Sequence, residues 1–523
     1  MRTSRPDPWL LLSFIALSIA VSLPLWGVTY LPFLDIPQHL MTIQVMHSAG
    51  DPDALLGAWY TVDTSSTQYL LYYLSVDVLA HLTGIETANK LFIAIYLIGL
   101  PWSLWYLLRA FGRIEAVALL GFPLAFNKFL FMGFINYVFA LPLFLLGLGL
   151  ARRALDSETT CRKREAGLLL VSLLIFYSHL QIFLLYVGAL GLFGLLHWRS
   201  VRGFVVRNLH LIPALLLFGF WLFGTQGLAG GDAWESAVSE RYASLDDEVV
   251  WDALESTLRD APDRLLNVYH DDADDRLNVL VGLSILLLLL LRRVGLSAPV
   301  GWRAWGRELA PEFLTLFVIL FYLALPTSYQ WIWPVNWRFL PVAVLLLLTW
   351  GRAQLPVWGS RGLIVCMTAI AAWSIAVHER QFDAFDAEAA EFTSALEAME
   401  PGSRVMQLTF ASGSKVLKGP VYLHFGQYHT IRQQGLALYS FAEAPQSPVR
   451  FRPRSEGGPP PTPLRSEWKP HEFTWGTDAR YYDYFLVRGD RPGWFRRQRF
   501  PKGEVRKVHQ SGPWAVYHYD RNG

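Results

Sequence analysis

Cysteine is almost missing from this chain of 523 residues: Cys161 lies in a basic loop and Cys366 inside an apolar run. Two thiols so placed make no disulfide framework and suggest no redox chemistry. Charge of one sign is also missing, the formal net charge being +2, which removes the basic excess expected of a nucleic-acid-binding protein. The chain has no phosphate-cradling glycine loop, no Cys-x-x-Cys and no nucleophile elbow. Residues 30 to 87 contain no Lys or Arg, yet hold Asp35, Asp51, Asp53, Asp63, Asp77 and Glu86.

What the chain has is apolar residues in blocks. It is 53% hydrophobic and 15% aromatic, above soluble usage. A helix needs about 20 apolar residues to cross the hydrocarbon core, fewer where the bilayer thins or protein lines a cavity. On that measure about eleven spans are expected, near 9–28, 88–109, 115–131, 133–151, 167–180, 181–197, 209–228, 277–291, 311–326, 338–350 and 361–378. Ser18-Ile19-Ala20 is a tolerable signal-peptidase site, but the apolar run continues past it, so an uncleaved first helix is expected.

The positive-inside rule sets the orientation. A cytoplasmic N-terminus puts Arg109 and Arg113, Arg152 to Arg164, Arg199 to Arg207, Arg292 to Arg307, and Arg352 with Arg361 all inside, and leaves acidic loops 30–87 and 229–276 outside. Residues 68–83 are apolar enough for a further span, yet counting them inverts every later basic loop. Asp77 and His81 lie one turn apart, opposite Leu70, Leu74, Val78 and Leu82, so an interfacial helix lying flat on the outer surface is expected. After residue 378 the apolar blocks stop. A helix signal at 386–399 is followed by strand-like runs RVMQLTF, YYDYFLVRG and WAVYHY, with a Pro/Gly-rich surface loop at 457–464. The expected fold is therefore mostly α: a polytopic transmembrane helical bundle over 1–378, and a small soluble α/β domain over 379–523 outside the membrane.

The first outer loop opens with Pro32-Phe33-Leu34-Asp35-Ile36-Pro37-Gln38-His39, soon after the first span. A carboxylate is thereby fixed at the membrane surface. If a helix starts here, Asp35 and His39 share a face and can act as base and orienter, or Asp35 caps that helix. A capping carboxylate can also be catalytic.

This order of features resembles the GT-C superfamily of membrane glycosyltransferases, as a divergent bacterial member. The matching features are the cytoplasmic N-terminus, the long first outer loop with an acidic residue after the first helix, the juxtamembrane helix ending in Leu82-Thr83-Gly84, and the trailing outer domain. The resemblance covers most of the chain on short motifs. It implies a multi-pass protein of the bacterial inner (plasma) membrane that transfers sugar from a polyprenyl-phosphate donor to a glycan, lipid or protein acceptor of the cell envelope. Asp35 then takes the family's first-loop base position. Many members also carry a carboxylate in the second outer loop, often linked to metal. The corresponding Asn127-Lys128-Phe129-Leu130-Phe131-Met132-Gly133-Phe134-Ile135-Asn136-Tyr137 has none, so no cofactor is called for and divalent-metal dependence stays open.

Substrate-binding candidates follow from polar residues at outer helix ends. Lys128 either faces a donor phosphate or snorkels to lipid headgroups, and Asn136 shares its loop. His179, in Tyr177-Ser178-His179-Leu180 between two short apolar runs, either contacts acceptor or phosphate or is a structural histidine. Asn336, Trp337 and Arg338 end the run from Tyr329, whose tryptophans suit an interfacial belt while Arg338 suits a phosphate. The run His270-Asp271-Asp272-Ala273-Asp274-Asp275 lacks the spacing of a calcium loop and reads as a solvated acidic turn. His424 and His429, five apart, make a poor metal signature. The rival class is a transporter, flippase or scaffold for envelope lipids or glycans. A transporter calls for ionisable residues deep in the spans and internal repeats, neither of which is clear here.

Overall fold

The computed structural model describes residues 6–51, 54–156, 161–197, 200–225, 249–291, 305–306, 308–329, 332–444, 446–460, 462, 466–473, 478–489, 495–497 and 503–520. Parts of the expected loops at 229–276 and 457–464, most of the basic stretch 292–307, and Trp331 lie outside the described residues.

The longer helices are α1 (Pro8–Ala20), α2 (Ile36–His47), α3 (Leu71–Thr83), α4 (Ile85–Phe111), α5 (Ile135–Asp156), α6 (Arg162–Ser178), α7 (Leu180–Leu196), α8 (Ile212–Thr225), α9 (Ala273–Leu290), α10 (Ala310–Ala324), α11 (Phe339–Leu347) and α12 (Val357–Ala389). Among the described residues, four helical stretches are long and apolar enough to cross a membrane: Pro8–Trp26, Ile85–Phe111, Ile135–Leu155 and Val357–Glu397. The bent pair Val201–Arg207 and Leu209–Phe223 makes a fifth if it is one span. Leu180–Leu196, Ala310–Ala324 and Asn336–Trp350 are apolar but shorter.

The outward faces identify the solvent. On α8, Leu216, Phe220 and Phe223 are exposed, and on α9 so are Val279, Leu283, Leu286 and Leu290. These residues recur every three or four positions, so each helix turns a continuous apolar stripe away from the protein. Such stripes are unfavourable in water and favourable in lipid. The chain is an integral membrane protein.

Residues 115–131 do not make one helix. They form a 3-10 turn, Glu115–Leu120, and two short helices, Gly121–Ala125 and Lys128–Phe131. Gly121 packs so tightly on α4 that a Cβ there would lie 2.6 Å from Pro101 Cα. The Asn127 side chain accepts from the N–H groups of Phe129 and Leu130 and starts the second helix. Ala116 through Phe126 are all buried, so this irregular backbone is sheltered by protein rather than by lipid.

α3 turns Leu74, Val78 and Leu82 outward, while Asp77 reaches His47 at the end of α2. Gly84, at φ +82°, then turns the chain into α4.

The strands are β1 (Tyr60–Val62), β2 (Val249–Val250), β3 (Ser328–Tyr329), β4 (Arg404–Thr409), β5 (Leu436–Leu438), β6 (Val449–Phe451), β7 (Tyr484–Arg488), β8 (Glu504–Ser511) and β9 (Trp514–Asp520). Five of them form one sheet in the order β5-β4-β7-β9-β8, with β4 parallel to β5 and β7, and the other two pairings antiparallel. The three strand-like runs of the sequence supply β4, β7 and β9. α12 is a single helix of 33 residues, so the boundary expected at 378/379 falls inside it.

The sheet-bearing region is tied to the segment from Thr29 to Glu86 at several points. β1 pairs with β6, Tyr60 opposite Phe451. Asp386 on α12 accepts from the N–H groups of Thr29 and Tyr30, both at 2.8 Å. Arg432 grips Glu86 with two bonds of 2.8 Å and stacks over Tyr30 at 4.9 Å. In sealed cells, a membrane-impermeant maleimide is expected to modify cysteines introduced at Ser65 or Lys507 in a background lacking Cys161 and Cys366. Native Cys161 should react only after permeabilisation; its labelling in sealed cells would reverse the orientation.

Candidate functional site

Asp35 sits at the N-cap position of α2, but its side chain accepts no backbone N–H there. The carboxylate is therefore not used as a cap. Its surroundings come from three separate segments.

The first is the loop before α5. Leu34 N–H donates to the Phe131 carbonyl at 2.9 Å. Gly133, at φ +82°, comes so close that a Cβ would lie 2.6 Å from Asp35 N and 2.8 Å from Asp35 Cβ. Glycine is needed here both for the left-handed backbone and for the close approach.

The second is α2 itself. His39 is within hydrogen-bonding distance of the Gly133 carbonyl through Nε2, at 3.0 Å, and of the Tyr73 hydroxyl through Nδ1, at 2.8 Å. A carbonyl only accepts, so Nε2 carries the proton and Nδ1 accepts from Tyr73. Both ring nitrogens are thus engaged away from Asp35, and the expected direct pairing of Asp35 with His39 does not form. Burial pushes the His39 imidazole below its usual value, with the Asp35 charge and the Gly133 hydrogen bond pulling it upward.

The third segment is a turn in the C-terminal region that brings His424 Nε2 to 3.4 Å from Asp35 Oδ1, both side chains being mostly buried. Gln407 of β4 holds the turn, donating to the Tyr422 carbonyl at 2.9 Å and accepting from Gly426 N–H. Gln38 sets the His424 tautomer. Its amide nitrogen donates to the Tyr439 carbonyl at 2.9 Å and its amide oxygen accepts from Phe441 N–H at 2.9 Å, so the group facing His424 Nδ1 at 3.0 Å is a donor. Nδ1 therefore accepts, and a neutral His424 presents its Nε2–H to Asp35.

These residues open on a cavity of about 380 Å3. Of the residues nominated from sequence, Asp35, His39, Asn136, His179 and Arg338 line it, together with Tyr69, Tyr73 and His424. Four polar atoms of that lining, Asn136 Oδ1, His179 Nδ1, Arg338 Nε and Gln446 Oε1, are buried without a hydrogen-bond partner. Buried polar atoms are normally satisfied, so four orphans around one cavity call for polar groups of a ligand or for water. Among the described residues Arg338 makes no ion pair; its guanidinium lies 5.2 Å from the centre of the Phe134 ring.

Lys128, Asn336 and Trp337 do not line the cavity. Lys128 donates to the Asp263 carbonyl at 3.2 Å, and Asn336 to the Tyr322 carbonyl at 3.3 Å. Trp337 packs under Arg264, whose guanidinium is 4.7 Å from the ring centre. In the acidic run, Asp274 accepts from the N–H groups of Val268 and Tyr269 and organises the chain locally, while Asp271 accepts from Gln381 and ties the run to α12. His429 is buried in the core and faces the Ser403 carbonyl at 3.0 Å. A larger cavity of about 680 Å3, where Arg164, His197 and Arg207 meet Leu168 and Leu190, contains none of the nominated residues.

No protein-family model matches the chain, and no curated protein matches it. Among solved structures, the archaeal oligosaccharyltransferase AglB from Archaeoglobus fulgidus, in complex with an inhibitory peptide and a dolichol-phosphate, is similar over 92% of this chain and 69% of its own, with a TM-score of 0.44 and 9% identity. At that similarity nothing about the chemistry of the cavity follows from the likeness.

Gly133→Ala is expected to lower stability by at least about 1 kcal/mol through the left-handed backbone alone. The added methyl also displaces Asp35. Thermal unfolding checks this, and a melting temperature equal to wild type would show that the close approach does not constrain the loop.

Proposed function

We propose that the protein is a membrane glycosyltransferase of the GT-C type. It transfers a sugar from a polyprenyl-phosphate donor to an acceptor on the outer face, with inversion, and Asp35 is the general base. The observation that carries the reading is that an Asp35 carboxylate free of capping shares one cavity with Arg338, free of any ion pair among the described residues, and with the unpartnered Asn136 Oδ1 and His179 Nδ1.

The chemistry requires little more. The acceptor's nucleophilic atom attacks the anomeric carbon, its proton passes to Asp35, and the carbon–oxygen bond to phosphate breaks with the electron pair leaving on the lipid phosphate. A phosphate is a good leaving group without protonation if a cation offsets its charge, and a guanidinium fork suits its oxygens. His424 presents Nε2 to Asp35 at 3.4 Å and orients the carboxylate. His39 acts as a positioning residue, holding α2 against Gly133 and Tyr73.

The test is transfer of radiolabelled sugar from a panel of polyprenyl-phosphate sugars in membranes with and without the protein. Asp35→Asn is expected to lower transfer by about a hundredfold to ten-thousandfold, the usual effect of removing a general base. Asp35→Ala should be equally inactive and close to wild type in stability, because no capping bond is lost. Wild-type transfer by Asp35→Asn would remove Asp35 from the mechanism.

A further inference from the structure

A second cluster of chemistry-bearing side chains lies at the other end of α2 from Asp35. His47 is the last residue of α2, and Asp77 and His81 stand one turn apart on α3. His47 Nδ1 is 2.7 Å from Asp77 Oδ1, the His47 and His81 rings are 4.4 Å apart between centres, and the three potential ligand atoms all lie within 4.8 Å of one another. None of the three lines the cavity at Asp35.

We propose that His47, Asp77 and His81 form a binding site for a divalent transition metal ion of the zinc type, which clips α2 to α3. Two imidazoles and one carboxylate are a borderline-soft donor set. It suits zinc and its neighbours and not magnesium or calcium, which take oxygen ligands. The i, i+4 spacing of Asp77 and His81 puts both on one face of α3, and α2 brings the third ligand from outside that helix. Metal–nitrogen and metal–oxygen distances of about 2.0–2.2 Å need the ligand atoms only slightly rearranged from their present spacing. His81 is exposed and free to turn, and the half-buried His47–Asp77 pair is already in place. On binding, the metal displaces the proton shared by His47 Nδ1 and Asp77, and the exposed side leaves a fourth position for water.

The metal has a positional consequence. His47 lies eight residues beyond His39, about 12 Å along the helix at 1.5 Å per residue. Fixing its end on α3 therefore anchors the helix that carries His39 and follows Asp35. The site is thus separate from the proposed chemistry and does not depend on it.

The test uses the full-length protein, purified in detergent through a tag that contains no histidine, loaded with Zn2+ and dialysed. One zinc per chain is expected by elemental analysis, retained against excess Mg2+, with a rise in melting temperature over the metal-free protein. Co2+ in its place should give visible absorption bands. His81→Gln and Asp77→Asn should lose the stoichiometric zinc and the metal-dependent rise, and Asp35→Asn should keep both. His81 is exposed, so its replacement leaves the fold intact and isolates the ligand effect. Wild-type protein without zinc, or equal zinc in wild type and His81→Gln, would overturn the proposal. Loss of zinc in Asp35→Asn with retention in His81→Gln would place the metal at the cavity instead, and would equally overturn it.

Discussion

The contact on which the site depends is the meeting of Gly133 with Asp35. At Gly133 the chain has the left-handed backbone, no side chain, and a carbonyl that accepts from His39 Nε2. These three properties bring the loop ahead of α5 against the start of α2 at van der Waals distance. Because Asp35 is held by backbone proximity and not by a capping bond, its carboxylate keeps its acceptor capacity for the cavity. A side chain at residue 133 would separate the loop ahead of α5 from the start of α2 and open the cavity wall that Phe134 and Asn136 form.

The sheet-bearing region completes this site. Its turn at His424 reaches Asp35, and Gln38 reads the region's backbone at Tyr439 and Phe441 while orienting His424. The same surface is held by the β1–β6 pairing, the Asp386 bonds to the Thr29 and Tyr30 amides, and the Arg432–Glu86 fork. Each of these half-exposed polar contacts contributes little alone, since ion pairs near water are screened. Their effect is geometric: they fix a histidine from one end of the chain beside a carboxylate from the other.

A sequence pattern speaks of depth and not of direction. From blocks of apolar residues and the alternation of basic and acidic loops, Asp35, Asn136, His179, Lys128, Asn336, Trp337 and Arg338 are all expected at outer helix ends. Nothing in a local pattern says which way round a helix end points, and there the candidates divide. Arg338 faces the cavity, while Trp337 beside it packs under Arg264 and Lys128 turns to the Asp263 carbonyl. Residues 115–131 have the hydropathy of a span, but Gly121 against Pro101 and the cap at Asn127 break them into pieces. His424 was visible only as a histidine five residues from another. Its meaning comes from a contact across 389 positions, which periodicity cannot carry.

The loop from Asn127 to Tyr137 holds no carboxylate, and this changes what it contributes. A second acid near Asp35 would raise one of the two pKa values by like-charge repulsion, or would need a cation between them. Here the loop offers a backbone carbonyl at Gly133 and an amide at Asn136, and the group closest in charge to Asp35 is His424, a donor. The loop's other end reaches Arg338, whose backbone carbonyl accepts from Tyr137. One loop thereby packs on Asp35 through Gly133 and bonds the Arg338 backbone through Tyr137, so the spacing between that carboxylate and that guanidinium is set by the ten residues from Lys128 to Tyr137.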